Sequence, residues 1–441
     1  MDKFIIKGGN PLQGKVTVAG AKNVAMKVIL TSLLTDEELT IYNLPLISSV
    51  LGTLKIVTPL GVKYKIASHK LSLKLASKIK QFQVPLEMGG LYRTAPMVMA
   101  PLVARFGKAV VPNPGGCRLG KRPIDRHIEA LRQMGVKISY KQGFFYATGD
   151  LHGAEVTFDK NTHTGTETVI LAAVLAKGRT VIKNAAEEPE VDDLIRLLNL
   201  MGAKIRRSGR TITIAGVEKL HGAEFKIMPD RNEVVTYAVA ALVTGGDVVV
   251  EGTDRNYLKA FLKAVDEIGG GWEPVSQQAT RFYYKNELSA VNITTGPYPG
   301  FMTDWQAPWS VLATQAQGLS TIHETVFESR FSYVAELKKM GAEIDFYDPD
   351  VSRPQSFYNF NWQDRVFGYH QGIKITGVTP LHEAVLEITD LRAGATLVLA
   401  ALAAKGTSVL HGIEQIDRGY ENFDKQLKSL GAKIRRLKED I

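Results

Sequence analysis

The stretch LMGAKIRR, residues 200–207, decides the fold because the same phrase returns along the whole chain. Its pattern is an apolar residue, a glycine, a small residue, a charged residue and a second apolar residue. A phrase that recurs every 67 to 90 residues predicts a chain built from six equivalent units. The glycines of the six copies are Gly61, Gly135, Gly202, Gly269, Gly341 and Gly431.

Each copy of the phrase follows an amphipathic pattern and precedes a strand-like one. Apolar residues recur at helical spacing from Val191 to Met201, just before Gly202. A glycine at this place suits the left-handed conformation that ends many helices. Two more recurring phrases, LHGAEVTF at 151–158 and LAAVLAKGRTVIKN at 171–184, predict a further strand and a small apolar helix leading into a strand. Each unit therefore reads strand, helix, strand, helix and hairpin, and the fold class is α/β.

Six units can form one closed ring or two globules of three units each. Polar breaks at VAGAKN, residues 18–23, and IMPDRNE, residues 227–233, bracket the first three units. The opening strand KFIIKGG lies before the first break, so we expect it to pair with the last three units. The sequence thus predicts an inserted domain, 22–230, and a discontinuous domain of 1–21 with 231–441. The chain passes between the two predicted domains at two adjacent connections, and this arrangement suits a hinge.

Composition is that of an ordinary globular chain, with 441 residues, a net charge of +9 and one cysteine. A single cysteine cannot form an internal disulfide, and the first residues lack a signal-peptide pattern, so we expect a cytoplasmic protein. Lysines and arginines alternate with 45 acidic residues, which favours small anionic substrates over nucleic acid. No apolar run is long enough for a membrane span. We therefore expect no nucleic acid, no membrane partner, and a monomer or weak homo-oligomer.

Metal-dependent and nucleotide-hydrolysing classes find no support in the sequence. The HExxH, CxxC, Walker A and GxGxxG patterns do not occur. His163 has no neighbours at metal-ligand spacing and reads as a loop histidine. We expect no metal and no cofactor.

Charged residues collect where helices are predicted to begin. Free N–H groups and the helix dipole favour bound anions at such places. An aspartate there is commonly a helix cap, whereas the charge of an arginine opposes the dipole. A surface salt bridge explains any one arginine, but five together favour a bound polyanion. The five are Arg93, Arg122, Arg330, Arg392 and Arg418.

The one cysteine, Cys117, lies in the stretch NPGGCRLGKRP, residues 113–123. A lone cysteine is usually a small buried hydrophobic residue. Here the flanking prolines and glycines predict an exposed, mobile loop, and the nearby cations Arg118, Lys121 and Arg122 favour the thiolate. We therefore interpret Cys117 as a nucleophile or a general acid.

Motifs along nearly the whole chain resemble, in order, those of the enolpyruvyl transferase family, and in particular of its members that act on UDP-N-acetylglucosamine. These motifs are GAKN at 20–23, PGGCxxGxRP at 114–123, EPE at 188–190, PDRxE at 229–233, TDxQ at 303–306, ETVFExRF at 324–331, TDLRA at 389–393 and DRGYE at 417–421. The resemblance implies two inverse α/β barrels of three βαβαββ units each, in agreement with the sixfold repeat.

The same resemblance implies an activity. An enolpyruvyl group would pass from phosphoenolpyruvate to the 3′-hydroxyl of UDP-N-acetylglucosamine, with release of phosphate, at the start of peptidoglycan synthesis. The antibiotic fosfomycin would alkylate Cys117.

Residue roles follow from the resemblance by position. Cys117 would be the acid and Asp304 the base, with Lys22, Arg392 and Arg418 as further catalytic residues. Phosphoenolpyruvate would be held by Lys22, Asn23, Arg122, Arg330, Arg392 and Arg418. The UDP-sugar would contact Arg93, Arg122, Pro123, Ile124, Asp125, Arg126, Lys160, Asn161, Thr162, His163, Asp304 and Val326.

The chain departs from the family pattern at several positions. Members commonly have Ser-Val-Gly-Ala-Thr where residues 162–166 are Thr-His-Thr-Gly-Thr, and an apolar residue where this chain has Lys27. The usual acidic residue near Ser49 is also missing. An aromatic-rich stretch at 346–371 predicts an added surface hairpin or loop, which we interpret as covering a barrel edge rather than binding a partner.

Three other functions stay open at this point. A sister transferase acting on shikimate 3-phosphate shares the repeat and the arginines, but it needs no cysteine loop of this form. A transferase for a different nucleotide sugar would explain the changed residues 162–166. A catalytically silent paralogue would bind a UDP-sugar as a regulator, although the intact catalytic set argues against silence.

Overall fold

The structure is a computed structural model, and it describes residues 2–76, 79, 81–92, 94–114 and 124–438. The strands are β1 (Asp2–Lys7), β2 (Gln13–Thr17), β3 (Leu39–Tyr42), β4 (Val62–Ala67), β5 (Lys70–Leu75), β6 (Lys108–Pro112), β7 (Lys137–Lys141), β8 (Phe144–Thr148), β9 (Glu155–Thr157), β10 (Arg179–Lys183), β11 (Lys204–Ser208), β12 (Thr211–Ala215), β13 (Ala223–Lys226), β14 (Asp247–Glu251), β15 (Gly271–Ser276), β16 (Ala279–Tyr283), β17 (Asn292–Thr294), β18 (Gly318–His323), β19 (Glu343–Tyr347), β20 (Gly372–Gly377), β21 (Val385–Glu387), β22 (Thr407–His411) and β23 (Lys433–Lys438). The α-helices are α1 (Lys22–Thr31), α2 (Ser48–Val57), α3 (Leu86–Leu91), α4 (Met99–Phe106), α5 (Asp125–Gln133), α6 (His163–Ala173), α7 (Pro189–Leu200), α8 (Arg231–Val243), α9 (Lys259–Ile268), α10 (Thr303–Thr314), α11 (Val334–Lys339), α12 (Pro354–Phe357), α13 (Leu391–Ala403) and α14 (Phe423–Ser429).

These elements form two compact α/β units. One unit contains the chain before Gly20 and from Pro229 onward, and the other contains the described residues from Gly20 to Met228. In the first unit the sheet orders are β21-β22-β1-β23, β15-β16-β14-β2 and β17-β18-β20-β19. In the second they are β11-β12-β10-β9, β13-β3-β5-β4 and β6-β8-β7.

The four-stranded sheets share one pairing pattern. Each has a parallel pair at one edge, such as β9 with β10, followed by two antiparallel pairs. The three-stranded sheet keeps the two antiparallel pairs, and an isolated parallel bridge from Gln83 to Val110 takes the place of the edge strand. The opening strand β1 pairs with β22 and β23, which confirms the predicted pairing of that strand.

Each unit is built around helices that are buried on nearly all sides. All residues of α8 are buried, and Asp304 is the one residue of α10 that is not. These two helices and α13 pack on one another, and each also lies on one of the three sheets of its unit. In the other unit, α1 and α6 are similarly enclosed. Apolar residues on all faces explain this burial, since such a helix is stable only inside a core.

The six repeated glycines confirm the predicted helix ends. All six have φ between +89° and +99°, and a strand follows each. A residue with a Cβ is disfavoured in this conformation, whereas glycine adopts it freely. The glycine therefore sets the direction in which the chain leaves each helix.

The aromatic-rich stretch 346–371 connects β19 to β20 and contains α12. The rings of Tyr358 and Trp362 stack within it, with centroids 4.6 Å apart. The Tyr358 hydroxyl also lies 3.1 Å from Nε2 of His323 at the end of β18. The insertion is thus packed on the sheet by one aromatic cluster, while Phe367 is fully exposed.

Gly431→Ala tests the left-handed helix end without a steric clash. Apart from chain neighbours, no heavy atom lies within 4 Å of the position a Cβ would take, and φ is +94°. We expect the substitution to lower the free energy of unfolding by about 1 kcal/mol through backbone strain alone. Urea denaturation measures this. Gly296→Ala is the control, because its space is equally open and its φ is not positive. Equal stability of the two variants would contradict the expectation.

Candidate active site

Asp304 is the second residue of α10 and lies between two arginines. One oxygen of its carboxylate is paired with Arg330, and the other accepts a hydrogen bond from Nη2 of Arg392 at 3.2 Å. The side chains of Arg330 and Arg392 are only 4% and 11% exposed, and that of Asp304 is 24% exposed. Two guanidinium groups thus share one carboxylate in a poorly solvated place, and such arginine pairs suit an anionic ligand.

The loop that carries Arg330 is folded around the buried Glu324. One carboxylate oxygen of Glu324 accepts from the N–H groups of Val326 and Phe327 at 2.7 and 2.9 Å, and the other accepts from the Thr303 hydroxyl at 2.9 Å. Burial raises the pKa of Glu324 above its usual value, although these bonds and the nearby guanidinium oppose the rise. Because Thr303 begins α10, the same carboxylate fixes this loop on the helix that bears the aspartate.

Arg392 is held by a helix cap and by a tyrosine. The Asp390 side chain accepts from the N–H groups of Arg392 and Ala393 at 2.9 and 3.1 Å, which caps α13. Nη1 of Arg392 donates to the Tyr420 hydroxyl at 3.2 Å, and that hydroxyl lies 2.7 Å from the hydroxyl of Thr236. Burial lowers the pKa of Arg392, but Asp304, Tyr420 and Asp230 together outweigh burial and raise the pKa above its usual value, so the side chain stays a cation.

Arg418 ends the 3-10 helix Ile413–Arg418 and donates to Oε1 of Gln415 at 3.0 Å. The preceding residue, Asp417, forms two hydrogen bonds with Arg436, at 2.7 and 3.0 Å. Arg436 belongs to β23 and also binds Asp2 of β1 at 2.8 Å. The DRGYE motif is therefore anchored to the first and last strands.

The PDRNE motif caps α8 and holds the segment that leads out of this unit. Oδ1 of Asp230 accepts from the N–H of Asn232 at 2.8 Å, and the Asp230 N–H donates to the carbonyl of Ala19 at 2.9 Å. Oε2 of Glu233 accepts from the Ala19 N–H at 2.9 Å. Burial and the charge of Asp230 raise the pKa of Glu233 to about 8, although the Ala19 N–H opposes them. The side chain of Glu233 is thus a buried acid that binds Ala19, and Ala19 is the last residue of this unit before the chain enters the other unit.

In the second unit, Lys22 and Asn23 are the first two residues of α1. One turn on, Nζ of Lys27 donates to the carbonyl of Asn23 at 2.7 Å and pairs with Oε2 of Glu167 at 3.1 Å. Oε1 of Glu167 lies 3.2 Å from Nε2 of His163. The side chains of Lys27 and Glu167 are 4% and 0% exposed. We call Lys27, Glu167 and His163 the buried network.

The start of α5 lies beside the segment before α6. Ile124 precedes α5, and Asp125 and Arg126 are its first two residues. Arg126 makes two hydrogen bonds to the Asp159 carboxylate, at 2.6 and 3.0 Å, and these lower the pKa of Asp159. Lys160 and the residues up to His163 follow directly in the chain. The structure therefore brings the 124–126 and 160–163 segments together.

Two more contacts fix the first turn of α6. The Thr162 side chain accepts from the Gly165 N–H at 3.2 Å and so caps the helix. Nε2 of His127, in α5, lies 2.9 Å from the Thr164 hydroxyl. The two helix starts are thus joined by side chains as well as by the Arg126 pair.

The sequence-predicted residues fall into three groups. In the first unit the structure brings Asp304, Arg330 and Arg392 into contact, with Val326 in the same loop as Arg330 and Arg418 after β22. The second unit holds Lys22, Asn23, Ile124, Asp125, Arg126, Lys160, Asn161, Thr162 and His163. Arg93, Cys117, Arg122 and Pro123 lie outside the described residues.

The sequence of this chain matches a known family along most of its length. Residues 6–427 fit the family model of EPSP synthase (3-phosphoshikimate 1-carboxyvinyltransferase). The chain belongs to this family. It is the enolpyruvyl transferase family that the motifs resemble.

Members of the family with closely similar sequences include two bacterial proteins. The chain is 41% identical over 446 residues to the UDP-N-acetylglucosamine 1-carboxyvinyltransferase of Acidobacterium capsulatum, covering 99% of this chain and 96% of the relative. Identity to the enzyme of the same name from Idiomarina loihiensis is also 41%, covering 99% of this chain and 100% of the relative.

Solved structures of enolpyruvyl transferases share the fold. The enolpyruvyl transferase NikO from Streptomyces tendae superimposes with a TM-score of 0.86 at 23% identity, over 100% of this chain and 99% of that one. EPSP synthase from Acinetobacter baumannii has a TM-score of 0.72 at 20% identity, over 99% and 100%. At these identities the likeness concerns the fold alone.

Sequence reasoning missed three residues of the site. Glu167 is the one acidic residue of α6, and its signal was a carboxylate inside an otherwise small and apolar helix. Glu233 and Tyr420 lie within the PDRNE and DRGYE motifs, but no role was assigned to them. Their contacts join residues far apart in the chain, which a motif does not reveal.

Glu233→Gln is expected to weaken the dependence of stability on pH. The pKa of Glu233 is about 8, against an ordinary value of 4.5. The folded protein therefore keeps a proton that the unfolded chain releases, so this group's contribution is full below about pH 4.5 and is lost as the pH rises through about 8. Glutamine keeps the shape and does not titrate.

Thermal denaturation at about pH 5 and about pH 8 tests this expectation. The difference between the two Tm values should shrink by several degrees in Glu233→Gln. Glu267→Gln changes an exposed carboxylate in the same unit and serves as the control. If Glu233→Gln shows the wild-type difference, the raised pKa is wrong.

Proposed function

We propose that this protein transfers the enolpyruvyl group of phosphoenolpyruvate to the 3′-hydroxyl of UDP-N-acetylglucosamine, with release of phosphate. The observation that carries the proposal is 41% identity, over almost the whole chain, to two enzymes named for this acceptor. The reaction begins the synthesis of peptidoglycan. The arginine cluster around Asp304 supports it, because phosphoenolpyruvate brings a phosphate and a carboxylate to the site.

The chemistry needs an acid, a base and fixed cations. The acceptor oxygen bonds to C2 of phosphoenolpyruvate while a proton adds to C3; the bond from C2 to the phosphate oxygen then breaks as C3 loses a proton. We assign the proton donor to Cys117 and the base to Asp304. In this assignment Lys22 and Asn23 hold phosphoenolpyruvate, and its phosphate and carboxylate are bound and neutralised by Arg122, Arg330, Arg392 and Arg418.

Asp304 has two tasks in this mechanism. In the structure it is the counter-ion of Arg330 and Arg392. An incoming phosphoenolpyruvate competes for the same arginines and releases the carboxylate. Among the described residues, the buried Nε of Arg330 has no hydrogen-bond acceptor, so the arginine has capacity for a further anion. Binding of the donor substrate thus prepares the base.

The acceptor is assigned to the second unit and to Asp304 and Val326. The paired starts of α5 and α6 offer Ile124, Asp125, Arg126, Lys160, Asn161, Thr162 and His163, and Arg93, Arg122 and Pro123 complete the set. Free N–H groups at the start of α6 support contact with the anionic part of a nucleotide sugar.

We also propose that the sheets correspond to six βαβαββ repeats, three in each of two inverse α/β barrels. The shared strand order and the six left-handed glycines support this assignment. The domain bounds are those that the sequence predicts, 22–230 and 1–21 with 231–441, with a hinge at the two crossings.

Within the described residues, no helix has both the length and the apolar character needed to cross a membrane. We propose that the protein is cytoplasmic, as one cysteine in 441 residues favours a reducing compartment. A monomer or weak homo-oligomer stays our prediction.

Phosphate release from phosphoenolpyruvate tests the proposed function. We expect release with UDP-N-acetylglucosamine, none with shikimate 3-phosphate, and loss of the activity after incubation with fosfomycin. Cys117→Ser should lose most turnover, whereas Cys117→Asp, which keeps an acid, should retain some. Release with shikimate 3-phosphate alone would contradict the acceptor, and release with neither acceptor would favour another nucleotide sugar or a silent paralogue.

Asp304→Asn separates the two tasks of this residue. Loss of the base should lower kcat by about a hundredfold or more. Loss of the counter-ion should tighten phosphoenolpyruvate binding, measured by isothermal titration calorimetry without acceptor, because the arginines no longer have a competing carboxylate. Asp247→Asn removes a surface carboxylate paired with Arg281 and is the matched control. Weaker phosphoenolpyruvate binding by Asp304→Asn would contradict the counter-ion role.

A further inference from the structure

The buried network joins the starts of two helices within one unit. Its contacts run without a break from the carbonyl of Asn23 to Nζ of Lys27, from there to the Glu167 carboxylate, and on to the ring of His163. Asn23 lies in the first turn of α1 and His163 begins α6. One end of the network therefore touches the segment assigned to phosphoenolpyruvate, and the other touches the segment assigned to the acceptor.

Stability does not explain why charges occupy these positions. Well-packed apolar residues of similar size commonly stabilise a protein interior as well as a buried ion pair does, because desolvation offsets the attraction. Lys27 and His163 belong to two different helices whose buried residues are mostly apolar. The structure joins these two residues through Glu167. A coordinated set of charges in an apolar layer points to a role at the site.

We propose that the buried network is a positioning device that fixes the first turn of α6 against the first turn of α1, and that the proton on His163 sets how firmly it does so. The proposal rests on the proposed function, since the acceptor is assigned to the start of α6. Lys27 and Glu167 act here as positioning residues through the helix starts, and His163 does so in addition to its assigned contact with the acceptor.

The charged groups around His163 favour its protonated form. Glu167 faces it from the same helix, Lys27 from α1 and Glu188 from the segment before α7, while His127 of α5 contacts the next residue, Thr164. Burial lowers the pKa of His163 and Lys27 opposes the proton, but the carboxylates of Glu167 and Glu188 outweigh them and the pKa is raised. His163 therefore keeps its proton to a higher pH than an ordinary histidine does.

The protonation of His163 determines in which direction the acceptor affinity should change with pH. At low pH the imidazolium and Lys27 share the Glu167 carboxylate, and the first turn of α6 is fixed. At high pH the neutral imidazole loses its charge-assisted bond and the turn is held less firmly. Acceptor affinity should therefore fall as the pH rises, through the apparent KM more than through kcat.

The experiment compares the wild type with the triple variant Lys27→Met, His163→Val, Glu167→Met. Removing all three charges together leaves no member of the buried network as an unpaired ion, so the variant should fold, whereas a single change at Glu167 would leave the buried Lys27 without its carboxylate. The KM for UDP-N-acetylglucosamine at saturating phosphoenolpyruvate, and its Kd by calorimetry, are measured from about pH 6 to about pH 9. His221→Gln is the matched control, because Glu37 and His221 form an exposed pair at the same 3.2 Å distance in the same unit.

We expect the wild type to bind the acceptor about fivefold or more tightly than the triple variant at low pH, with the difference closing as the pH rises. His221→Gln should follow the wild type. Lys27→Arg, which keeps the charge, should keep the wild-type pH profile. If the ratio of wild-type to triple-variant affinity is independent of pH, the network is only structural and the proposal is overturned. A wild type that releases no phosphate with UDP-N-acetylglucosamine instead overturns the proposed function, and this proposal with it.

Discussion

The burial of whole helices is the constraint on which the rest of the structure depends. A helix enclosed on all sides, such as α8 or α10, must be apolar along its length, so its polar chemistry is confined to its ends. At the N-terminal end, free N–H groups need acceptors, and Asp230 and Asp390 supply them as caps. The charged side chains of Asp304 and Arg392, which we propose serve a ligand, lie in the same first turns. The core thereby decides where the site lies, and Asp304 is the one residue of α10 that the core does not enclose.

The sequence predicts those features of the fold that depend on a local pattern of residues. Periodicity and polar breaks in the sequence predict the repeated glycine, the amphipathic stretches before it and the pairing of β1 with the last strands. The structure confirms these predictions. The motifs identify Asp304, Arg330 and Arg392, but only three dimensions show that one carboxylate holds both arginines. Contacts between residues far apart in the chain have no local signal.

Charged residues inside apolar helices also show which features a sequence alone does not predict. Lys27 and His163 stand out in the sequence as departures from the family, and each can be read only as an isolated anomaly. Glu167 carries no motif, and it gains meaning when the fold places it between them. A buried charge needs a partner, so one such residue in a sequence predicts a second without saying where it is.

Three buried or half-buried carboxylates in one unit show how partners decide what an acid can do. Glu324 is bound by backbone N–H groups and a hydroxyl, which no ligand can displace, and so it serves the fold. Glu233 keeps a proton, because burial and the nearby charge of Asp230 both disfavour its ionised form. Of these three carboxylates, Asp304 is the one paired with arginines that an anionic ligand can also bind. In the mechanism that we propose, the ionic environment of Asp304 is therefore the one that substrate binding changes. With Asp304 as the general base, that change links the arrival of the donor to the removal of the acceptor proton.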